Sequence, residues 1–169
     1  MKNGWNYEQF CAADIKIGEN TVDTKYDPVK ILEKRIKSFK KFPALQHLGF
    51  QFIGICKYPE DKLTREFCRS FAFDDYMEVF ELFLGKNVNS DRQKIIKYYV
   101  DRLDRLIAWF RKQKSIQFVS SSVFMCYCSK SNRMDLRMID FAHTYYEDGM
   151  DENYIDGIVN LKKWFSRLL

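Results

Sequence analysis

Two short segments near opposite ends of the chain place charged side chains inside apolar runs. The first is the sequence Asp-Ile-Lys-Ile-Gly at residues 14–18, and the second is Met-Ile-Asp-Phe-Ala-His-Thr at residues 138–144. An ionised group that leaves water is costly unless it is paired, hydrogen-bonded or bound to a metal. We therefore expect both segments to fold so that their charged residues meet a partner, and we interpret them as candidate functional segments.

The composition predicts a single domain spanning residues 1–169, long enough to bury a core. Of the 169 residues, 46% are hydrophobic and 17% are aromatic, which argues against disorder. The chain has 7 Gly and 3 Pro residues, fewer than the turns of an all-β sandwich require. Helices are therefore predicted to contain most of the structured residues.

The net charge of +5 and the isoelectric point near 8.9 favour anionic partners. Lys and Arg are spread over the predicted helices, so a polyanionic small molecule fits as well as nucleic acid. The chain has no helix-turn-helix spacing, zinc-finger pattern or RNP-like segment, so nucleic acid is not the favoured partner. No apolar run approaches the roughly 18 residues that a membrane span needs.

Five cysteines, an odd number without a CxxC pair, indicate a reducing, intracellular compartment, cytoplasmic or nuclear. Cys126 and Cys128 are spaced to share one face of a strand, which allows a metal-binding interpretation. Two thiols without further Cys or His ligands cannot complete a tetrahedral site. Core thiols are therefore the favoured interpretation.

Hydrophobic periodicity and turn signals divide the chain into strands and helices. Helices are predicted at residues 28–42, 73–84, 90–114 and 151–169. The first of them combines an apolar stripe with many Lys and Arg residues, and its basic face is either a solvated surface or a phosphate-binding wall. Strands are predicted at 12–17, 50–58, 116–128 and 134–141, the last two joined as a hairpin by the polar turn at 129–133.

Asp140 and Lys16 are the residue types that phosphoryl transfer requires, a carboxylate for a metal ion and a cation for phosphate oxygens. Asp140 ends an apolar strand, where it can offer an oxygen to Mg²⁺ or, equally well by spacing alone, cap the turn at Ala142. Lys16 shares a strand face with Asp14 and can reach a phosphoryl oxygen. The alternative for this pair is a simple Asp–Lys ion pair.

Residues 138–144 resemble the IDFAHT signature of the inositol polyphosphate kinases. Residues 14–18 are similar to the PxxxDxKxG core of the same family, with Phe10 where the family has Pro. Agreement of several segments in order and spacing identifies the chain as a member of this family. The other matching segments are Phe42-Pro43 with residues 48–50 and 53–54 (YP…GFxIxGM), residues 120–124 (SSSLL) and residues 151–161 (DxGYxxGLxNL).

The resemblance implies an α+β fold in which helices flank an antiparallel sheet. The resemblance implies that the chain is the C-terminal lobe of an inositol polyphosphate kinase, with a protein-kinase-like or ATP-grasp-like architecture. It implies an enzyme that uses ATP and Mg²⁺ to phosphorylate an inositol polyphosphate. In the family a β-rich N-terminal lobe precedes the DxKxG core, and we expect this chain to lack most of it. Two alternatives stay open: a non-catalytic inositol-phosphate-binding module or truncated kinase fragment, and a surface binder of nucleic acid or phosphoinositides.

The resemblance also implies roles for individual residues. Asp14 would hold the ATP ribose, and Lys16 would contact the reactive phosphate and the inositol substrate. Asp140 would ligate Mg²⁺ at the ATP site. Ser121 or Ser122 would assist at the metal.

His143 indicates a branch of the family. The multikinase and hexakisphosphate-kinase branches have a His here that faces the substrate, whereas the trisphosphate 3-kinase branch has the sequence IDFGKT. An imidazole can hydrogen-bond a phosphate or an acceptor hydroxyl near neutral pH. We therefore count His143 with Lys16 and Asp140 as predicted catalytic residues. The other predicted substrate-binding residues are Lys30, Lys34, Lys37 and Arg69.

Overall fold

The computed structural model describes residues 10–22, 27–58, 62–71, 75–85, 89–128 and 130–169. In these ranges the strands are β1 (Phe10–Ile17), β2 (Phe50–Lys57), β3 (Lys62–Leu63), β4 (Ile116–Phe118), β5 (Ser122–Cys128), β6 (Arg133–Ile139) and β7 (Thr144–Tyr146). The helices are α1 (Pro28–Lys41), α2 (Pro43–Leu48), α3 (Arg65–Ser70), α4 (Tyr76–Leu84), α5 (Asn89–Lys112) and α6 (Glu152–Ser166).

The described strands form two antiparallel sheets. The larger has the order β3-β2-β1-β5-β6, and the smaller pairs β4 with β7. The predicted α+β fold with helices beside an antiparallel sheet is therefore confirmed. In the described ranges no helix combines the length and apolar character needed to cross a bilayer.

The central strand β1 has two chemically different faces, because successive side chains of a strand point to opposite sides. Ala13, Ile15 and Ile17 are buried on one face, and Asp14 and Lys16 are only partly buried on the other. The apolar face fits a packed core, and the second face can accommodate charge.

Helices α4, α5 and α6 contribute both aromatic and aliphatic side chains to the hydrophobic core that they share with β1 and β2. Phe80 makes edge-to-face contacts with Phe52 and Phe165 at centroid distances of 5.1 and 4.9 Å, a geometry that aromatic rings favour. The apolar stripe predicted for the long helix is confirmed, since Ile95, Tyr99, Leu103, Ile107 and Phe110 are buried and Leu106 is partly buried. Cys126 and Cys128 are buried free thiols, as predicted.

The structure corrects the strand predicted at residues 116–128. It is divided into β4 and β5, which belong to different sheets, and the predicted hairpin comprises only β5 and β6. The interruption includes Ser120, whose φ of 59° is left-handed and incompatible with a continuous strand. The Phe118 N–H just before it donates to Asp151 at 2.6 Å.

Several helix boundaries also differ from the predictions. Pro43 follows the end of α1, as expected, but it also begins α2, because a proline at the first helical position loses no helix hydrogen bond. The short helices α2 and α3 were not predicted. The predicted helix at 73–84 is described from Tyr76 onward, and its first residues, like the turn predicted at 59–61, lie outside the described residues.

Helix α6 approaches the backbone where β1 ends and β2 begins. A side chain at Gly157 would collide with the Gly49 carbonyl oxygen and would lie 2.9 Å from the Gly18 nitrogen. On the same helix face, the Asn160 amide donates to the Leu48 carbonyl at 3.2 Å, and Asn153 Oδ1 accepts from the Asn20 N–H at 2.8 Å. The helix therefore fixes the ends of two central strands.

Asp151, at the start of α6, is a buried structural carboxylate. It accepts hydrogen bonds from the backbone N–H groups of Tyr154 at 3.0 Å and Phe118 at 2.6 Å. Burial raises the pKa of its carboxyl group, and the two hydrogen bonds partly offset this effect. The side chain of Asp151 thus connects β4 to α6.

We predict that Gly157→Ala lowers the free energy of unfolding by about 2 kcal/mol. The added methyl group has no space beside the Gly49 carbonyl, and this overpacking outweighs the gain in helix propensity, which is about 1 kcal/mol. Chemical denaturation of both proteins measures the difference. Asp156→Ala, at the exposed neighbouring position of α6, is the matched control and should change stability by only a few tenths of a kcal/mol. Equal stability of Gly157→Ala and the parent chain would contradict the close-packing account.

Candidate active site

Three strand ends meet at one edge of the larger sheet. Lys16, near the end of β1, lies opposite Ser122, the first residue of β5, and Ser122 lies opposite Ile139, the last residue of β6. The Ile17 N–H donates to the Ser121 carbonyl at 3.2 Å, which continues the pairing. The register therefore brings the two segments singled out in the sequence to the same edge.

Lys16 is held at this edge by Ser120. Its Nζ donates to the Ser120 carbonyl oxygen at 2.7 Å and to Ser120 Oγ at 2.9 Å. Ser120 has a left-handed backbone and precedes β5, so its carbonyl is not used in the pairing of that strand. Ser120 thus positions the ammonium group without neutralising its charge, since both acceptors are uncharged.

Asp140 follows the end of β6 directly and is exposed. Its φ is 64°, in the left-handed region that Asp and Asn tolerate better than most other residues. Two strand spacings separate its neighbour Ile139 from Lys16, a distance of about 10 Å between Cα atoms. A nucleotide phosphate group and a metal ion could fit between these side chains.

His143 is brought back toward the same edge by the smaller sheet. Its carbonyl accepts from the Val119 N–H at 3.4 Å, and Thr144 pairs with Phe118. Val119 directly precedes Ser120, so the turn that carries His143 runs beside the segment that holds Lys16. The His143 side chain is exposed.

The two serines predicted as alternatives for the metal have different surroundings. Ser121 is fully buried, and its hydroxyl faces that of Tyr154 without a hydrogen bond of regular geometry. Burial strongly raises the pKa of Tyr154, so this pair is neutral. Ser122 is also buried, but it shares a sheet face with Lys16, its cross-strand partner, and therefore lies closer to the predicted phosphate position.

Asp14 lies on the same face of β1 as Lys16, two residues earlier. Its cross-strand neighbour on β2 is Gly54, and the register shifts at this point, leaving Ile53 as the extra residue. Because Gly54 has no side chain, no β-carbon from β2 lies beside Asp14 at this point of the sheet.

A ring of cations surrounds Phe42, the residue between α1 and α2. Lys16 Nζ lies 5.7 Å from the centroid of the ring, Lys41 Nζ lies 5.3 Å away, and Arg69 Cζ lies 5.0 Å away. These distances are within the range of cation–π attraction, which holds like charges near one another. Phe42 therefore brings two predicted substrate residues close together, Lys16 from β1 and Arg69 from α3.

Lys30, Lys34 and Lys37 are exposed on α1. At about 100° per residue they lie on the same flank of the helix as Lys41, within an arc of about 60°. Lys41 contacts the aromatic ring of Phe42. The positive charge around Phe42 is therefore extended along this flank of the helix.

A separate cavity of about 530 Å³ lies between α1 and residues 19–22. Its lining includes Arg35 and Lys40 but neither Lys16 nor Asp140. We therefore locate the candidate active site by the geometry of the strand ends and not by this cavity.

Comparison with known protein families identifies the group to which this arrangement belongs. The profile of the inositol polyphosphate kinases matches residues 3–166. The chain belongs to the inositol polyphosphate kinase family. This confirms the family membership expected from residues 14–18 and 138–144.

The individual relatives are distant. Inositol hexakisphosphate kinase 3 of Mus musculus is 25% identical over 92% of this chain, and the inositol polyphosphate multikinase of Homo sapiens is 23% identical over 77% of it. The chain covers only 46% and 31% of the lengths of these two kinases.

Solved structures of family members confirm the fold. The crystal structure of the inositol phosphate multikinase Ipk2 of S. cerevisiae, in complex with ADP and Mn²⁺, superposes with a TM-score of 0.83 at 19% identity. The match covers 97% of this chain and 80% of that one. A second inositol phosphate multikinase structure gives a TM-score of 0.79 at 20% identity.

The donor groups of this family member fit a hard divalent cation bound together with a nucleotide. Within the described ranges, no three His, Cys, Asp or Glu side chains converge as a preformed metal site. Mg²⁺ does not need such a cage, because it is commonly bound by one or two carboxylates, substrate phosphates and water. The exposed carboxylate of Asp140 and the hydroxyl of Ser122 are oxygen donors of the required type.

Two features of the site were missed by sequence analysis. Ser120 holds Lys16, and the ring of Phe42 gathers the cations around it. The sequence contained only an indirect signal, since both residues belong to segments that resemble family motifs. Their roles depend on a left-handed backbone angle and on contacts between distant elements.

Proposed function

We propose that the chain catalyses ATP-dependent phosphorylation of an inositol polyphosphate, as a kinase of the multikinase or hexakisphosphate-kinase type. Residues 1–169 would then correspond to the C-terminal catalytic lobe of the family. The observation that carries the proposal is the position of Lys16. Its ammonium group is hydrogen-bonded to Ser120 where the ends of β1, β5 and β6 meet. It is also one of the cations around Phe42.

Catalysis would rest mainly on positioning and electrostatics, as is usual for phosphoryl transfer. Lys16 would stabilise negative charge on the transferred group, and the fixed geometry imposed by Ser120 would reduce reorganisation during the reaction. Ser120 leaves the positive charge intact, so the ammonium retains its attraction for phosphate oxygens.

Asp140 and Ser122 would hold Mg²⁺, and Asp14 would hold the ribose of ATP beside Gly54. Bound Mg²⁺ would supply additional positive charge to the phosphate groups. The left-handed backbone of Asp140 turns the chain directly after β6, and the residue is exposed there.

The inositol polyphosphate would bind along the surface that is formed by the cations around Phe42 and the basic flank of α1. Lys16 and Arg69 would contact phosphate groups near the reaction centre, and the flank of α1 would contact more distant ones. This flank consists of Lys30, Lys34 and Lys37. His143, exposed beside the Ser120 segment, would hydrogen-bond the acceptor hydroxyl or a neighbouring phosphate.

We predict that Asp140→Asn reduces phosphoryl transfer at least about a hundredfold, because the amide cannot replace the carboxylate charge at the metal. Asn tolerates the left-handed backbone of this position, so the fold should be kept. Transfer is measured with radiolabelled ATP and a panel of inositol polyphosphates, and the fold is checked by thermal unfolding. Undiminished turnover in the folded variant would exclude the metal-binding role.

We predict that Lys16→Met lowers kcat at least about a hundredfold and raises the KM for the inositol polyphosphate. Methionine keeps much of the side-chain length but removes the charge. Lys97→Met, at an exposed position of α5, controls for the lost charge and should leave both constants unchanged. A change in KM alone would mean that Lys16 binds the substrate but does not act in the transfer step.

Calorimetry separates the proposed kinase from a binding module that uses the same cations. The kinase should bind both the inositol polyphosphate and Mg-ATP, and it should consume ATP when both are present. Binding of the inositol polyphosphate without Mg-ATP binding or turnover would contradict the proposed kinase activity and establish the binding module instead.

A further inference from the structure

Helix α1 has an apolar stripe that nothing in the described part of the chain covers. None of its 14 residues is buried. Val29, Leu32, Ile36 and Phe39 are 65%, 60%, 49% and 55% exposed. An amphipathic helix of a globular protein normally turns such a stripe toward the core. This stripe therefore needs another partner.

Two residues of the stripe, Ile36 and Phe39, line the open cavity between α1 and residues 19–22, and all four keep about half or more of their surface exposed. At about 100° per residue the four side chains of the stripe fall within an arc of about 80°. Ser38, whose hydroxyl hydrogen-bonds that of Thr21, lies about 180° from Val29 on the same helix. The contact that attaches the helix therefore lies between about 100° and 180° around the helix from the members of the stripe.

The remainder of α1 is strongly cationic. Its sequence contains six Lys or Arg residues and one acidic residue, Glu33. Lys40 lies about 20° from the stripe on one side, and Arg35 lies about 40° from its other edge. Long basic side chains of this kind can extend past an apolar surface to reach negative charge beside it.

We propose that α1 is an interfacial helix that docks the protein on an anionic lipid bilayer. The four apolar side chains would enter the boundary between headgroups and acyl chains, and the flanking cations would contact anionic headgroups. A large apolar stripe with a Lys- and Arg-rich polar face is typical of such helices. The charge of the helix complements an anionic membrane and disfavours stable pairing with a second, equally cationic copy of α1. This inference does not depend on the proposed kinase activity.

The test is cosedimentation of the chain with vesicles of two compositions. One contains only phosphatidylcholine, and in the other about a third of the lipid is phosphatidylserine. The parent chain should bind the anionic vesicles at least about tenfold more tightly, and an increase from about 0.1 to 0.5 M NaCl should weaken that binding several-fold.

The double variant Leu32→Ser with Phe39→Ser should lose at least about tenfold in affinity for the anionic vesicles, because two apolar anchors are removed. Both positions are exposed, and neither belongs to the proposed active site, so thermal unfolding and any transfer to soluble inositol polyphosphates should be unchanged. Tyr146→Ser is the matched control, since Tyr146 is 86% exposed but lies on β7. Its vesicle binding should equal that of the parent chain.

Three results would overturn the proposal: no binding of the parent chain to anionic vesicles, equal binding of the parent and the double variant, or equal loss of binding in the Tyr146 control. Sedimentation velocity identifies the competing occupant. If the parent chain self-associates without binding vesicles, and the double variant does not self-associate, the stripe is an interface between two copies.

Discussion

The close approach of α6 to the backbone beside β1 and β2 is the contact on which the candidate active site depends. Gly157 lies against the Gly49 carbonyl and the Gly18 nitrogen, and the Gly18 N–H itself donates to Gly49 at 2.8 Å. Asn153 and Asn160 extend the contact to the segments on either side. The position at which β1 stops is thereby fixed, and Lys16 lies two residues before Gly18.

The alternation of side chains along β1 then separates core packing from chemistry. Ile15 and Ile17 are buried on one face, while Asp14 and Lys16 are partly buried on the other. The cost of partial burial at Lys16 is offset by two uncharged acceptors on Ser120 and by the Phe42 ring. These contacts place the ammonium group at the strand ends, where the proposed phosphate would bind.

Much of the strand-end site could be predicted from the sequence, because it lies on regular elements. Lys16 lies on a recognised strand and Asp140 directly follows the end of another, and the antiparallel register of β1, β5 and β6 brings these strand ends together. The left-handed turn at Ser120 could not be predicted, since serine does not specify that conformation. The exposed stripe of α1 was also hidden, because periodicity predicts a helix but not whether another element will cover its apolar face.

The most direct test of the account is a crystal structure of the chain with Mn²⁺ and a non-hydrolysable ATP analogue, with anomalous scattering used to locate the metal. The account predicts an anomalous peak in coordination contact with the Asp140 carboxylate and a phosphate oxygen within hydrogen-bond distance of Lys16 Nζ. A metal–nucleotide complex bound away from the edge shared by β1, β5 and β6 would contradict it.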